Sequence, residues 1–292
     1  MNFALDALWW KLEHPQVRDL ASLLTAPVLW HTPMELPHRD LMGETGFRYL
    51  LQLDAQPQTL EQYLQQAKPQ SHRLGVYAEH LLAFWFSHAP HCRLLGQNVV
   101  LQAKPSSPTL GALDYVAQIN DKLYHIELTC KYYAHRQAQP SSLRGIQAHD
   151  TLQSKADKLI KQLALSNHDL FGAWCEERGI DAQHIERASV VRGMGFWRES
   201  VVQKPINPHA WQGLYLENEE AWPHVEGCRY APIASQRLLS PQRLAFAQTF
   251  ESVPDAKQTS VWWAQLQQRP DGFWHEINRS MCLPDSVGNN TI

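Results

Sequence analysis

The chain has 292 residues, 44% of them hydrophobic and 19% charged, so it has the length and composition for a substantial core and is not a disordered segment. Its net charge of −3 excludes a global pull toward nucleic acid or anionic membrane, and any nucleic-acid surface must be a local patch. Five scattered cysteines without a CxxC pair favour reduced thiols in a cytoplasmic protein over a disulfide framework or zinc site, and neither a signal peptide nor a run of membrane-spanning length is read.

Residues 1–72 read as a helical segment. Leu5, Leu8, Trp9 and Leu12 share a helix face, and Pro15 suits the first turn of a helix running to about Leu24. Pro27, Pro33 and Pro37 interrupt the next stretch and leave His31, His38 and Asp40 in loops. Thr59-Leu60-Glu61-Gln62 opens a further helix as a capping box. Residues 73–88 predict a helix that is apolar around most of its circumference and therefore buried. Glu79 lies within it. A carboxylate in such surroundings must be paired, bind a metal or take up a proton, and a surface pair with Arg73 or His80 at the helix edge is an equal alternative.

Leu94 to Ala103 predicts a strand. Gly111 to Val116 and Tyr124 to Tyr132 predict two more, joined by the two-residue loop Asn120-Asp121. In the last strand Tyr124, Ile126, Leu128, Cys130 and Tyr132 share one face, and His125, Glu127, Thr129 and Lys131 share the other. A two-residue loop sets Ile119 opposite Lys122, and counting back in step sets Asp114 directly opposite Glu127. Like charges so opposed destabilise a sheet unless a cation, a shared proton or a basic neighbour compensates. Asp114 and Glu127 therefore form a candidate metal site, with Lys131 two pairs along on the same face. A cross-strand Asp114–Lys131 ion pair is the structural alternative, and a three-residue loop would undo the register.

Residues 134–148 are polar and irregular. Asp150-Thr151-Leu152-Gln153 then opens a helix with a capping-box-like pattern, with Leu152, Ala156, Leu159 and Leu163 facing inward. Lys155, Lys158, Lys161, Arg136 and Arg144 form a local positive excess that would face phosphates, although a solvated helix face is the plainer account of Lys158 and Lys161. Helix content is expected near Leu170 to Arg178, and a strand from Ala188 to Gly193. From Pro205 the texture changes to Trp, Pro and short runs. Ser240-Pro241 reads as the cap and first turn of a helix toward Phe250, and Val261 to Leu266 as another. The 15 histidines raise a zinc hydrolase, but no HExxH spacing appears.

The order helix, strand, strand, strand, helix, strand from residue 73 resembles the core of the PD-(D/E)XK nuclease superfamily. The residues that carry the resemblance are Glu79 in the first helix, Gly111-x-x-Asp114, Glu127 on the third strand, and Lys155 and Gln162 on the following helix. Leu74-Gly75-x-Tyr77-x-Glu79-x-Leu81, His125-x-Glu127-Leu128-x-x-Lys131-Tyr132 and Asp150-x-Leu152-x-x-Lys155 are similar to a bacterial family called domain of unknown function 1853. The resemblance spans residues 73 to about 197. It implies an α/β fold with a mixed central sheet: a nuclease-like core at 73–204, flanked by the helical segment 1–72 and a C-terminal extension 205–292 packed on the core. It also implies Mg²⁺ or Mn²⁺ held by Asp114, Glu127 and the Leu128 carbonyl, with Glu79 completing the site. Lys131 would orient the attacking water, and Lys155 and Gln162 would contact the phosphate or orient the carboxylates. The implied activity is metal-dependent hydrolysis of phosphodiester bonds in DNA or RNA. One departure stands out: the superfamily lysine lies two residues after the acid, where this chain has Thr129. Lys131 is displaced by about 6.6 Å along the strand at ~3.3 Å per residue. That displacement supports the alternative, a catalytically inactive nuclease-fold protein acting as a nucleic-acid-binding or scaffold module.

Overall fold

The computed structural model describes residues 11–67, 73–104, 107–147, 149–217, 222, 224–253 and 261–283. Apart from Leu12, the expected helix face at Leu5, Leu8 and Trp9 lies outside them. Helix α1, Pro15–Thr25, starts with the proline in its first turn, as its pre-set φ favours, and every residue from Val17 to Leu24 is buried. Two helices, α2 (His38–Met42) and α3 (Gly46–Ala55), occupy the stretch after the prolines. His38 and Asp40 are thus helical rather than loop residues; Pro37, which breaks the segment before it, stands at the N-cap. Helix α4, Gln58–Gln66, begins ahead of the expected capping box, after Pro57 and with no side-chain cap.

Helix α5, Leu74–His88, is the buried helix its composition requires: Ala78 and all of Leu81 to Phe86 are buried. It packs on β1 (Cys92–Leu101), β2 (Gly111–Ile119) and β3 (Lys122–Ala134). Helix α6, Leu152–Leu163, covers β2 and β3 through buried Leu152, Leu159 and Leu163. Its cap is Thr151, whose side chain accepts from Ser154 N–H, rather than Asp150. A 3₁₀ turn at Ala164–Asn167 and helix α7, Asp169–Glu176, lead to β4, Ile185–Phe196. The order from α5 to β4 agrees with expectation.

The C-terminal part departs from it. Strands β5 (Gln212–Leu216), β6 (Arg229–Ile233), β7 (Arg243–Leu244), β8 (Trp262–Gln268) and β9 (Trp274–Cys282) extend the sheet to nine strands in the order β1-β2-β3-β4-β5-β9-β8-β6, with β7 on β9. β1 to β3 are antiparallel, the steps from β3 through β4 and β5 to β9 are parallel, and β9-β8-β6 is antiparallel. The expected helix at Val261 to Leu266 is instead strand from Trp262 onward, because β9 and β6 supply hydrogen-bond partners along its two edges. No long helix forms from Ser240 to Phe250. The Ser240 hydroxyl donates to Asp19 (2.6 Å) instead of capping, and the Gln242 and Glu276 segments bond to each other. Among the described residues no helix is long and apolar enough to cross a membrane.

A buried polar clasp joins the two ends of the chain. Asp19 accepts from Ser240 and from Tyr77 (3.0 Å), and Arg18 donates to the Pro241 carbonyl (2.8 Å). Buried Arg279 pairs with buried Glu276 (2.7 Å) and donates to the Leu238 and Ser240 carbonyls. Because removing one member of a buried ion pair strands the other, Glu276→Gln is expected to cost about 3–5 kcal/mol in chemical denaturation. Gly193, opposite Lys131 in the β3–β4 ladder, has φ +124, and a Cβ there would lie 1.7 Å from the Lys131 carbonyl oxygen. Gly193→Ala is expected to destabilise by about 2–4 kcal/mol, read in the same way.

Candidate functional site

The β2–β3 turn sets the site. Ile119 is opposite Lys122 and Tyr115 opposite Ile126, the register of a two-residue loop, with Asn120 in the left-handed region (φ 52) that asparagine tolerates. At the next step side chains replace the backbone ladder. The Asp114 N–H donates to Glu127 Oε1 (3.2 Å), and the Leu128 N–H donates to Asp114 Oδ2 (2.8 Å). Each carboxylate thus reaches the other strand's backbone, and the two acids lie side by side.

Glu127 is 1% exposed and held from three directions. Besides the Asp114 N–H, His125 Nε2 lies 2.9 Å from Oε1 and Gln162 Nε2 of α6 donates to Oε2 (2.8 Å). His125 is fully buried, and burial lowers its pKa to about 4, so it is neutral at pH 7. With Nε2–H given to Glu127, its Nδ1 accepts from the Ser166 hydroxyl (3.0 Å), which the 3₁₀ turn after α6 supplies. Ser166, His125 and Glu127 form one chain of hydrogen bonds.

Burial raises the pKa of both Asp114 and Glu127. For Asp114 the Glu127 carboxylate is the next cause, and the Leu128 N–H and Lys155 oppose it. For Glu127 the hydrogen bonds from Asp114 and the charge of Lys155 oppose the rise. The two acids titrate as a pair that retains a proton near neutrality. Half-buried Glu79 is raised by burial and by Asp114, and eased by Lys155. Half-buried Lys155 is lowered by burial and by Lys158 and Lys131, and raised by Asp114 and Glu127. The fold therefore puts Glu127 in direct contact with both Asp114 and Gln162, with Glu79 and Lys155 close enough for their charges to be felt.

Lys131 stands apart from the acids. Its amine donates to Asp150 Oδ2 (2.6 Å), so no Asp114–Lys131 ion pair forms. Backbone bonds between Ala134 and Arg144, and from Gly145 to Asp150, fold the 134–150 loop back over β3. Tyr133 OH steadies the same carboxylate (3.2 Å). Thr129, two residues after Glu127 on the same strand face, is 2% exposed, and its hydroxyl has no hydrogen-bond partner among the described residues. Oε1 of Gln162 is likewise buried without one.

Sequence reasoning gave His125, Ser166, Asp150 and Thr129 no part in holding the carboxylates or Lys131. The one available signal was strand parity, which puts His125 and Thr129 on the face of Glu127. Carboxylate, amide and hydroxyl oxygens make a donor set chemically suited to a hard divalent cation. Among the described residues no three His, Cys, Asp or Glu side chains already form a metal-holding group.

The raised carboxylates set a sign for pH dependence. The ordinary values are 3.8 for Asp114 and 4.5 for Glu127, and in the folded chain each is pushed up to about 7. Between about pH 4 and 7 the folded state retains protons that the unfolded state has released, so stability falls as pH rises through that window. Thermal melts without added metal are expected to be highest near pH 5 and lower at pH 8. Asp114→Asn is expected to flatten the dependence and gain about 1–3 kcal/mol at pH 8.

The exposed positive groups Lys158, Lys161, Arg136 and Arg144 lie on α6 and in the loop before it, and all five cysteines are free. No curated protein and no solved structure matches the chain significantly. The sequence model of one family, described as domain of unknown function (DUF1853), matches residues 18–283, and the chain belongs to that family.

Proposed function

We propose that the chain is a metal-dependent nuclease of the PD-(D/E)XK type, hydrolysing phosphodiester bonds of DNA or RNA. The observation that carries this reading is the side-by-side placement of Asp114 and Glu127 across β2–β3, with Lys155 as a cation whose charge both acids feel. The order of elements from α5 to β4 supports it.

Asp114 and Glu127 would hold Mg²⁺ or Mn²⁺, with Glu79 at the edge of the site. When bound, such an ion lowers the pKa of a water and neutralises charge on the reacting phosphate. His125 and Gln162 hold Glu127 in one orientation, so its oxygens need no reorganisation. Lys155 would stand in for the displaced lysine, contacting the scissile phosphate or orienting the carboxylates. Lys131, tied to Asp150, steadies the start of α6. The exposed basic groups on α6 and the preceding loop would meet the strand's backbone.

A second reading, a nucleic-acid-binding or scaffold protein without turnover, is favoured by Thr129 at the lysine position and by the Lys131–Asp150 pair. Cleavage assays on single- and double-stranded DNA and RNA with Mg²⁺ or Mn²⁺ separate the two. Nuclease action predicts metal-dependent cleavage that Asp114→Ala and Glu127→Ala each reduce at least ~100-fold, about 2.7 kcal/mol in barrier. Lys155→Ala is expected to lower the rate more than Lys131→Ala. Intact polynucleotides after incubation with metal-loaded protein would overturn the nuclease reading.

A further inference from the structure

One support of the carboxylate site lies a step removed from the acids. Half-buried Ser166 sits in the 3₁₀ turn Ala164–Asn167, no residue of which is fully buried. Its hydroxyl caps neither that turn nor α7, whose cap is the His168 side chain. It goes instead to fully buried His125, 3.0 Å from Nδ1, and His125 Nε2 lies 2.9 Å from Glu127 Oε1. The Leu163 carbonyl, at 3.5 Å, is the hydroxyl's other contact. The turn is seated against the start of β2: a Cβ on Gly111 would lie 2.8 Å from Leu165 Cδ1, so a residue without a side chain there leaves room for Leu165.

The directions of these bonds follow from what each group can give. A carboxylate that holds a metal is ionised, and an ionised carboxylate only accepts. His125 must then present Nε2–H to Glu127, which leaves Nδ1 a lone pair in need of a donor. The Ser166 hydroxyl is that donor. In the other tautomer Nδ1–H would be given to Ser166, and the hydroxyl proton would be left to the more distant Leu163 carbonyl. Lone pairs on Nε2 and on Oε1 would then face each other at 2.9 Å. The tautomer that suits a metal-binding Glu127 is therefore the one that Ser166 favours.

We infer that Ser166 is a positioning residue for the metal site: by donating to Nδ1 it holds His125 as the Nε2–H tautomer, and so keeps Glu127 oriented to accept a divalent cation. Loss of an outer partner of this kind costs roughly 10- to 100-fold in metal affinity. The inference rests on the reading of Asp114 and Glu127 as metal ligands, and not on hydrolysis.

Calorimetric titration of the full chain with Mn²⁺ tests it, alongside nitrogen NMR of the His125 ring in the Mg²⁺-loaded protein. The parent is expected to bind Mn²⁺ at a site that Asp114→Ala removes. Ser166→Ala should bind about ten-fold more weakly while thermal melts show it folded, and Ser166→Thr, which keeps the hydroxyl, should bind as the parent does. In a His125→Ala background Ser166→Ala should cost nothing further, because the two residues act through one path. The parent ring should carry its proton on Nε2, and Ser166→Ala should shift it toward Nδ1. Should an alanine variant not fold, the ring proton of the parent decides the matter. Unchanged affinity in folded Ser166→Ala, failure of Ser166→Thr to restore it, an additive loss in the double variant, or a parent ring protonated on Nδ1 overturns the inference and leaves the metal reading standing. A parent without a Mn²⁺ site overturns the metal reading, and the inference with it.

Discussion

Two carboxylates forced together by a two-residue turn are the constraint around which the centre of this molecule is arranged. Once Asn120 and Asp121 close the hairpin, Asp114 and Glu127 have no other place to go. The sheet accommodates them by giving up backbone pairing at that step and using the carboxylates as acceptors for N–H groups of the opposite strand. Their surroundings answer the same need. A neutral buried histidine, an amide from α6 and a nearby lysine share the load of two acids in a desolvated place.

That arrangement explains why α6 is more than a cover. Its apolar stripe seats it on β2 and β3, and once seated it delivers Gln162 to Glu127, Lys155 to the field of both acids, and Ser166 of the following turn to His125. The loop before it brings Asp150 onto Lys131. One helix position therefore sets four polar relationships, and a shift of α6 would disturb all of them together.

A second set of buried charges ties the ends of the chain to this centre. α1 carries Arg18, Asp19 and Ser22 on a buried face because the 238–242 segment supplies their partners. Tyr77 of α5 completes that group, two residues from Glu79. The sheet itself runs from β1 through β4 into the C-terminal strands, so the segments at the two ends of the chain share cores with the central elements.

The local parts were legible in the sequence. The turn residues, the parity of β3, the all-round apolar α5 and the stripe of α6 each depend on neighbours a few positions away, and they led to the register and to the opposed acids, while Gln162 and Lys155 were implied by the family resemblance. What the sequence could not determine depended on distant partners. Lys131 was assigned to the acids by parity, but a carboxylate 19 positions on captured it. Parity put His125 on the face of Glu127, but only its burial, with Ser166 at its other nitrogen, made it the brace of that carboxylate. Ser240-Pro241 has the chemistry of a helix start, yet its hydroxyl was claimed by Asp19, 221 positions away. Val261 to Leu266, an apolar run equally suited to helix or strand, became strand because β9 and β6 offered hydrogen bonds on both sides. Periodicity and turn chemistry are local and can be read along the chain, whereas the partner of a buried charge or of an open strand edge is chosen only when the chain has folded.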